Sequence, residues 1–175
     1  MHPPTRDREL DACGIGFVAD ASGRTSRDIV VKALDGLANV KHRGAVAADA
    51  RSGDGAVLLA PIPAALFGAG HGIATLFVRG DDPRRAAEAA LAEEGIDVVE
   101  WRIPPTDDDH LGDLARASKP EILQAVLSGP AGDDADALER RAYRARRRIA
   151  ATCPGTYVAS CSFRTVVYKG LTAAD

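Results

Sequence analysis

A chain of 175 residues is long enough to bury one sizeable core and short for two, so a single domain is expected. The formal net charge of -3 argues against general nucleic-acid binding and gives no electrostatic reason to invoke a membrane surface. Three cysteines, with no CxxC pair, make neither a disulfide framework nor a zinc site, and no apolar run is long enough to span a bilayer; a reducing, cytoplasmic setting is expected.

Met1 to Ala12 is charged, contains Pro3-Pro4 and lacks the apolar core of a secretory signal, so it reads as a leader. Cys13-Gly14-Ile15-Gly16-Phe17-Val18-Ala19 then has the pattern of a first strand. If Cys13 becomes the mature first residue, its thiol and its α-amine have closely matched proton affinities, and one residue supplies both nucleophile and base. Gly14 and Gly16 leave room for a substrate to approach the strand end. The competing reading is a small buried hydrophobe on an apolar strand.

Thr25-Ser26-Arg27-Asp28 has the spacing of a capping box, and Ile29, Ala33, Leu37 and Val40 recur at helical intervals, which predicts a helix from Arg27 to Asn39. It ends in Lys41-His42-Arg43-Gly44-Ala45. A guanidinium there either pairs with a substrate carboxylate or complements the helix dipole. His42 has no visible ligand partner. Asp49 to Gly55 reads as a turn-rich loop, with Gly53-Asp54-Gly55 as a tight turn before a short apolar strand, Ala56 to Ala60.

One helical turn is expected within Pro61 to Phe67, a strand from Ile73 to Arg79, and a helix from Pro83 to Glu94 with Asp82 as its cap. A further strand, Ile96 to Ile103, completes a succession that implies an α/β layered domain. Pro104 to Lys119 reads as a long acidic loop whose Asp107-Asp108-Asp109-His110 run is solvated rather than metal-binding. Glu121 to Leu127 fits helix or strand. The helix from Asp134 to Ala151 carries Arg140, Arg141, Arg144, Arg146, Arg147 and Arg148. Without interleaved aromatics, that face is expected to be solvated or partner-facing, not a nucleic-acid surface. Strands from Thr156 to Ser162 and Thr165 to Lys169 close the chain.

Several separated stretches agree with one family. Asp11-Ala12-Cys13-Gly14-Ile15-Gly16-Phe17, His42-Arg43-Gly44-Ala45, Ser52-Gly53-Asp54-Gly55-Ala56 with Ile62-Pro63, and Arg164-Thr165-Val166-Val167-Tyr168-Lys169-Gly170 occur in the order and spacing of the family. Together they resemble the amino-terminal glutaminase domain of the glutamate synthase large subunit. The resemblance runs from about Leu10 to the last residue. Ala47 and Val57 stand where the family usually has glycine, and Cys161 and Phe163 where leucine and a small polar residue are usual.

The resemblance implies a class II glutamine amidotransferase of α+β class with the N-terminal-nucleophile hydrolase fold, a four-layer αββα arrangement that this chain would contain only in part. It implies that residues 1–12 are a leader and 13–175 the amino-terminal part of the domain, with Cys13 as nucleophile and Arg43 as a substrate-binding residue. Glutamine would be hydrolysed to glutamate and ammonia through a thioester. No cofactor is expected in this chain; FMN and an iron–sulfur cluster belong to the synthase domain of a complete enzyme, where ammonia aminates 2-oxoglutarate. The family's Asn-Gly oxyanion pair lies beyond these residues, so the chain alone is expected to show little or no glutaminase activity. Its partners would be glutamine, the rest of the amidotransferase domain and a synthase domain or subunit. The alternative is a non-catalytic module that keeps the scaffold and binds a partner.

Overall fold

The computed structural model describes residues 14–40, 42 and 44–172. The elements, in chain order, are α1 (Arg27–Asn39), β1 (Ser52–Pro61), α2 (Ala64–Phe67), β2 (Gly72–Val78), α3 (Arg84–Ala92) and β3 (Asp97–Arg102). A 3-10 turn at Asp108–His110 follows, then α4 (Asp113–Ser118), β4 (Glu121–Ser128), α5 (Ala135–Thr152), β5 (Thr156–Ser162) and β6 (Thr165–Thr172).

β3, β4, β2 and β5 form one sheet in that order, and β1 pairs with β6 in a second. Every pairing is antiparallel, so the succession of strands and helices builds an α+β architecture and not a parallel α/β sheet. Alternation along the strands explains the layers. Ala74, Leu76 and Val78 of β2, with Leu123, Ala125 and Leu127 of β4, face α3 and α5. There they meet Ala87, Ala90, Leu91, Ala142, Ala145 and Ile149 in the main core. The intervening residues Ile73 and Val126 point the other way, onto Phe67 of α2 and Val166 of β6. The second sheet therefore lies against the face of the first that α3 and α5 leave free.

Three expectations are corrected. Gly14 to Ala19 forms no strand: Ile15 and Phe17 are almost fully exposed, and an extended segment needs a hydrogen-bonded neighbour to count as one. Ser26, not Thr25, is the N-cap of α1, and it makes no side-chain cap hydrogen bond, so the capping-box spacing is not used. The acidic stretch 104–119 is not a long loop but folds into the 3-10 turn and α4. Asp107 caps the turn by accepting a hydrogen bond from the Asp109 backbone N–H. The ambiguous segment at 121 is strand β4, and helices form at 27, 84 and 135 close to the expected bounds, although the second is capped by Pro83 and not by Asp82.

Candidate functional site: the β1–β6 platform

Three of the stretches that carry the resemblance, at 44–45, 52–56 and 164–170, converge on the second sheet, whereas the described part of the first, Gly14 to Phe17, is exposed and pairs with no strand. Asp54 N–H donates to the Ala45 carbonyl (3.2 Å), Ala47 N–H donates to the Ser52 carbonyl (2.8 Å), and Val46 bridges Gly53. The chain leaving α1 is thus tied to the start of β1. β1 in turn pairs with β6 from Ala56 opposite Gly170 to Pro61 opposite Thr165. Gly53-Asp54-Gly55 is not the tight turn expected. It is the irregular entry of β1, where the register shifts between Ser52 and Ala56 and Gly55 takes a φ of 120° that a side chain would resist.

A carboxylate and a hydroxyl lock this entry onto α4. Asp49 Oδ1 accepts from the Ser52 N–H (2.7 Å), and Oδ2 accepts from Ser52 Oγ (2.5 Å) and the Leu114 N–H (3.2 Å). Ser52 Oγ also accepts from the Ala115 N–H (3.0 Å). The first-turn amides of α4 are satisfied from across the fold, because its own cap residue, Gly112, has no side chain to offer. Gly112 is required there: a Cβ would sit 2.5 Å from Asp49 Oδ2 and both the nitrogen and Oγ of Ser52. The Ser52 hydroxyl and amide, with help from the Arg51 and Leu114 amides, hold the Asp49 carboxyl far below the usual carboxylate range. This latch was missed in the sequence, although Asp49 stands at a turn and accepts from the Arg51 N–H two residues on (3.1 Å), the Asx-turn pattern that aspartate favours.

The other end of the platform is anchored to α5. Glu139 Oε1 accepts from Ser162 Oγ (2.9 Å) and the Phe163 N–H (2.7 Å). Ser162 Oγ accepts from the Arg164 and Thr165 amides (2.9 and 3.0 Å), and Arg164 pairs with Asp136. The turn that delivers the Arg164 to Gly170 stretch into β6 is therefore fixed by the first turns of α5.

Cys13 and Arg43, the expected nucleophile and substrate-binding residue, lie outside the described residues, as does the expected leader 1–12. Their neighbours Gly14 and Gly44 are described, and Gly44 stands next to the Ala45 carbonyl that holds Asp54. The other two cysteines are unsuited to nucleophilic work. Cys153 and Cys161 are buried in the main core, and burial, reinforced by the Glu139 carboxylate, pushes the Cys161 thiol up to about 12. Among the described residues, no group of three metal-ligating side chains converges.

The arginine-rich face of α5 is outward, with Arg140, Arg144, Arg146, Arg147 and Arg148 exposed, yet three of its guanidinium groups reach back into the fold. Arg144 Nε and Arg148 Nε donate to the two oxygens of buried Glu94 (2.6 and 3.0 Å), and Arg141 bonds the Glu94 carbonyl (2.8 Å) and Asp133 (2.5 Å). These hydrogen bonds outweigh burial and keep Glu94 ionised below its ordinary pKa.

Between the two sheets a cleft of about 750 Å³ opens, walled by β1 from Asp54 to Val57, by Phe77, Ile122 and Tyr157 of the larger sheet, and by the α4 segment.

A family model for class-II glutamine amidotransferases matches residues 13–175. The chain belongs to that family. Among curated proteins of similar sequence, ferredoxin-dependent glutamate synthase 2 of Synechocystis is 35% identical over 93% of this chain. The NADPH glutamate synthase large chain of Azospirillum brasilense is 32% identical over 95%, and the chloroplastic ferredoxin-dependent enzyme of Oryza sativa 33% over 95%. The amidotransferase chain spans about 12% of the length of each of these relatives. No helix among its described residues is long and apolar enough to cross a membrane.

Proposed function

We propose that residues 13–175 are the nucleophile-bearing part of a glutamine-hydrolysing domain of glutamate synthase type, with the four-layer N-terminal-nucleophile fold, acting in the cytoplasm after release of residues 1–12. The observation that carries this reading is the family match itself, whose first residue is Cys13. The convergence of the 44–47, 52–56 and 164–170 stretches on one antiparallel sheet supports it, as does the stacking of two antiparallel sheets with α3 and α5 outside.

In the proposed chemistry the α-amine of Cys13 takes the thiol proton and the thiolate adds to the side-chain carbonyl carbon of glutamine. The C–N bond breaks as the α-ammonium returns its proton to the leaving amine, so ammonia departs and a thioester remains. Water then adds to the thioester, the C–S bond breaks, and glutamate and the free thiol are regenerated. Arg43 pairs with the substrate α-carboxylate through its two parallel N–H groups. Ammonia passes to a synthase domain or subunit, the remaining machinery of which lies outside these residues. The alternative of a partner-binding module built on α5 loses weight because Arg141, Arg144 and Arg148 are committed within the fold.

The test combines intact mass with a diazoketone analogue of glutamine. Purified protein is expected to have lost Met1 to Ala12 and to take up one equivalent of reagent on Cys13, with glutamine protecting. Cys13→Ala abolishes labelling, and Arg43→Lys raises the glutamine needed for protection about tenfold, the cost of one charge-assisted contact. A retained leader together with no adduct at Cys13 would overturn the proposal.

A further inference from the structure

The cleft between the sheets has a chemistry of its own. Its walls are mainly apolar, from Val57, Phe77, Leu111, Ile122 and the ring of Tyr157, and its size falls within the range of small-molecule sites; of the carboxylates at its edge, Asp108 is paired with Lys119, Asp107 lies 3.5 Å from His110, and Asp54 is the third. One of its cations is aimed by aromatic rings. Lys169 Nζ sits 4.0 Å from the centroid of the Tyr157 ring and 5.7 Å from that of Phe77, and donates to Tyr157 Oη at 2.7 Å. Two aromatic faces and a phenol oxygen thus hold the ammonium in place.

Of the three cations that line the cleft, Lys169 is the one held by aromatic rings, and it and Arg79 have no carboxylate partner among the described residues. Lys119 is neutralised by Asp108, with a further hydrogen bond to Thr106 Oγ1 (2.8 Å), and Arg79 is held by the Ser118 carbonyl. Lys169 has no carboxylate within ion-pair distance among the described residues. An ammonium beside apolar walls with spare donor capacity is complementary to a compact anion carried on an apolar body. A zwitterion such as glutamine, with a second charge and a polar amide, matches those walls poorly.

We propose that this cleft binds a small amphipathic monoanion, with its carboxylate or sulfonate on Lys169 and its aliphatic or aromatic body against Phe77, Ile122 and Val57. The inference does not depend on the glutaminase reading, because no residue in it belongs to the proposed reacting groups.

The probe is 8-anilinonaphthalene-1-sulfonate, titrated by fluorescence against the folded chain. Saturable binding at one equivalent is expected, with displacement by decanoate and none by decan-1-ol at the same concentration. Lys169→Met weakens binding about tenfold or more, the scale of one hydrogen bond to a charged group, and Lys169→Arg retains it. Far-UV circular dichroism checks that each variant is folded; if Lys169→Met is not, the decanoate and decanol pair and Lys169→Arg still decide. Non-saturable binding, equal displacement by the alcohol, or undiminished affinity of a folded Lys169→Met protein overturns the proposal.

Discussion

A methyl group added at Gly155 would collide with the carbonyl oxygen of Arg79, and the backbone there already has a φ of 75°. The neighbouring strands cannot yield, because the Arg79 N–H is bonded to the Gly155 carbonyl at 2.8 Å just where β2 ends and β5 begins. Gly132 has a similarly positive φ of 94°, but nothing stands within 4 Å of its missing Cβ. The pair separates strain from collision. Gly132→Ala is expected to cost about 1 kcal/mol, the left-handed penalty alone. Gly155→Ala should cost about 2–3 kcal/mol, because the backbone must move as well. Urea unfolding of both variants checks this, and equal losses would show that the Arg79 contact is relieved without cost.

At the level of elements, the Asp49 latch joins the entry of β1 to the start of α4, and its stability contribution depends on pH in a defined direction. The folded-state pKa of Asp49 is depressed, so the stabilisation is complete above the unfolded value, about 4, and is lost as pH falls from there towards the folded pKa. Asp49→Asn keeps the shape but replaces the ionised acceptor. It is expected to melt below the parent at pH 7, and the gap in Tm should narrow steadily below pH 4; a gap independent of pH would show that the charge contributes nothing. Sequence periodicity revealed the helices and most strands because each has its apolar residues on one face, as in α5 with Ala142, Ala145 and Ile149. What it missed were elements whose partners are distant in sequence. α4 is six residues long and depends on acceptors more than 60 residues away, and the irregular entry of β1 becomes strand only through pairing with Val46 and β6. The arginines of α5 do form an exposed face, as expected, but the pairing of Arg144 and Arg148 with Glu94 was not legible, because Glu94 is buried, 50 residues from Arg144, and gives no local signal. For the candidate site, the motif order placed the platform, while Cys13 and Arg43 stand outside the described residues and their roles rest on the proposal.

For the molecule as a whole, the main core sets two of the three thiols apart. Cys153 and Cys161 sit between the larger sheet and α5, among side chains that a reagent reaches only if the sheet and helix separate. Cys161 is further protected by protonation, since a thiol pushed up to about 12 presents almost no thiolate at pH 8. Cys13, as the proposed amino-terminal nucleophile, should instead react without unfolding. Titration with an aromatic disulfide in native buffer is therefore expected to give one fast equivalent, absent in Cys13→Ser, and two slow ones. The slow phase should accelerate with sub-denaturing urea, because its rate follows the population of opened molecules, whereas the fast phase should not. Raising the pH from 7 to 9 should speed the fast phase until its thiol is ionised and then level off. Two or more fast equivalents in the native protein would mean that the α5 layer does not seal the core, and a fast phase surviving in Cys13→Ser would assign the reactive thiol to the wrong residue.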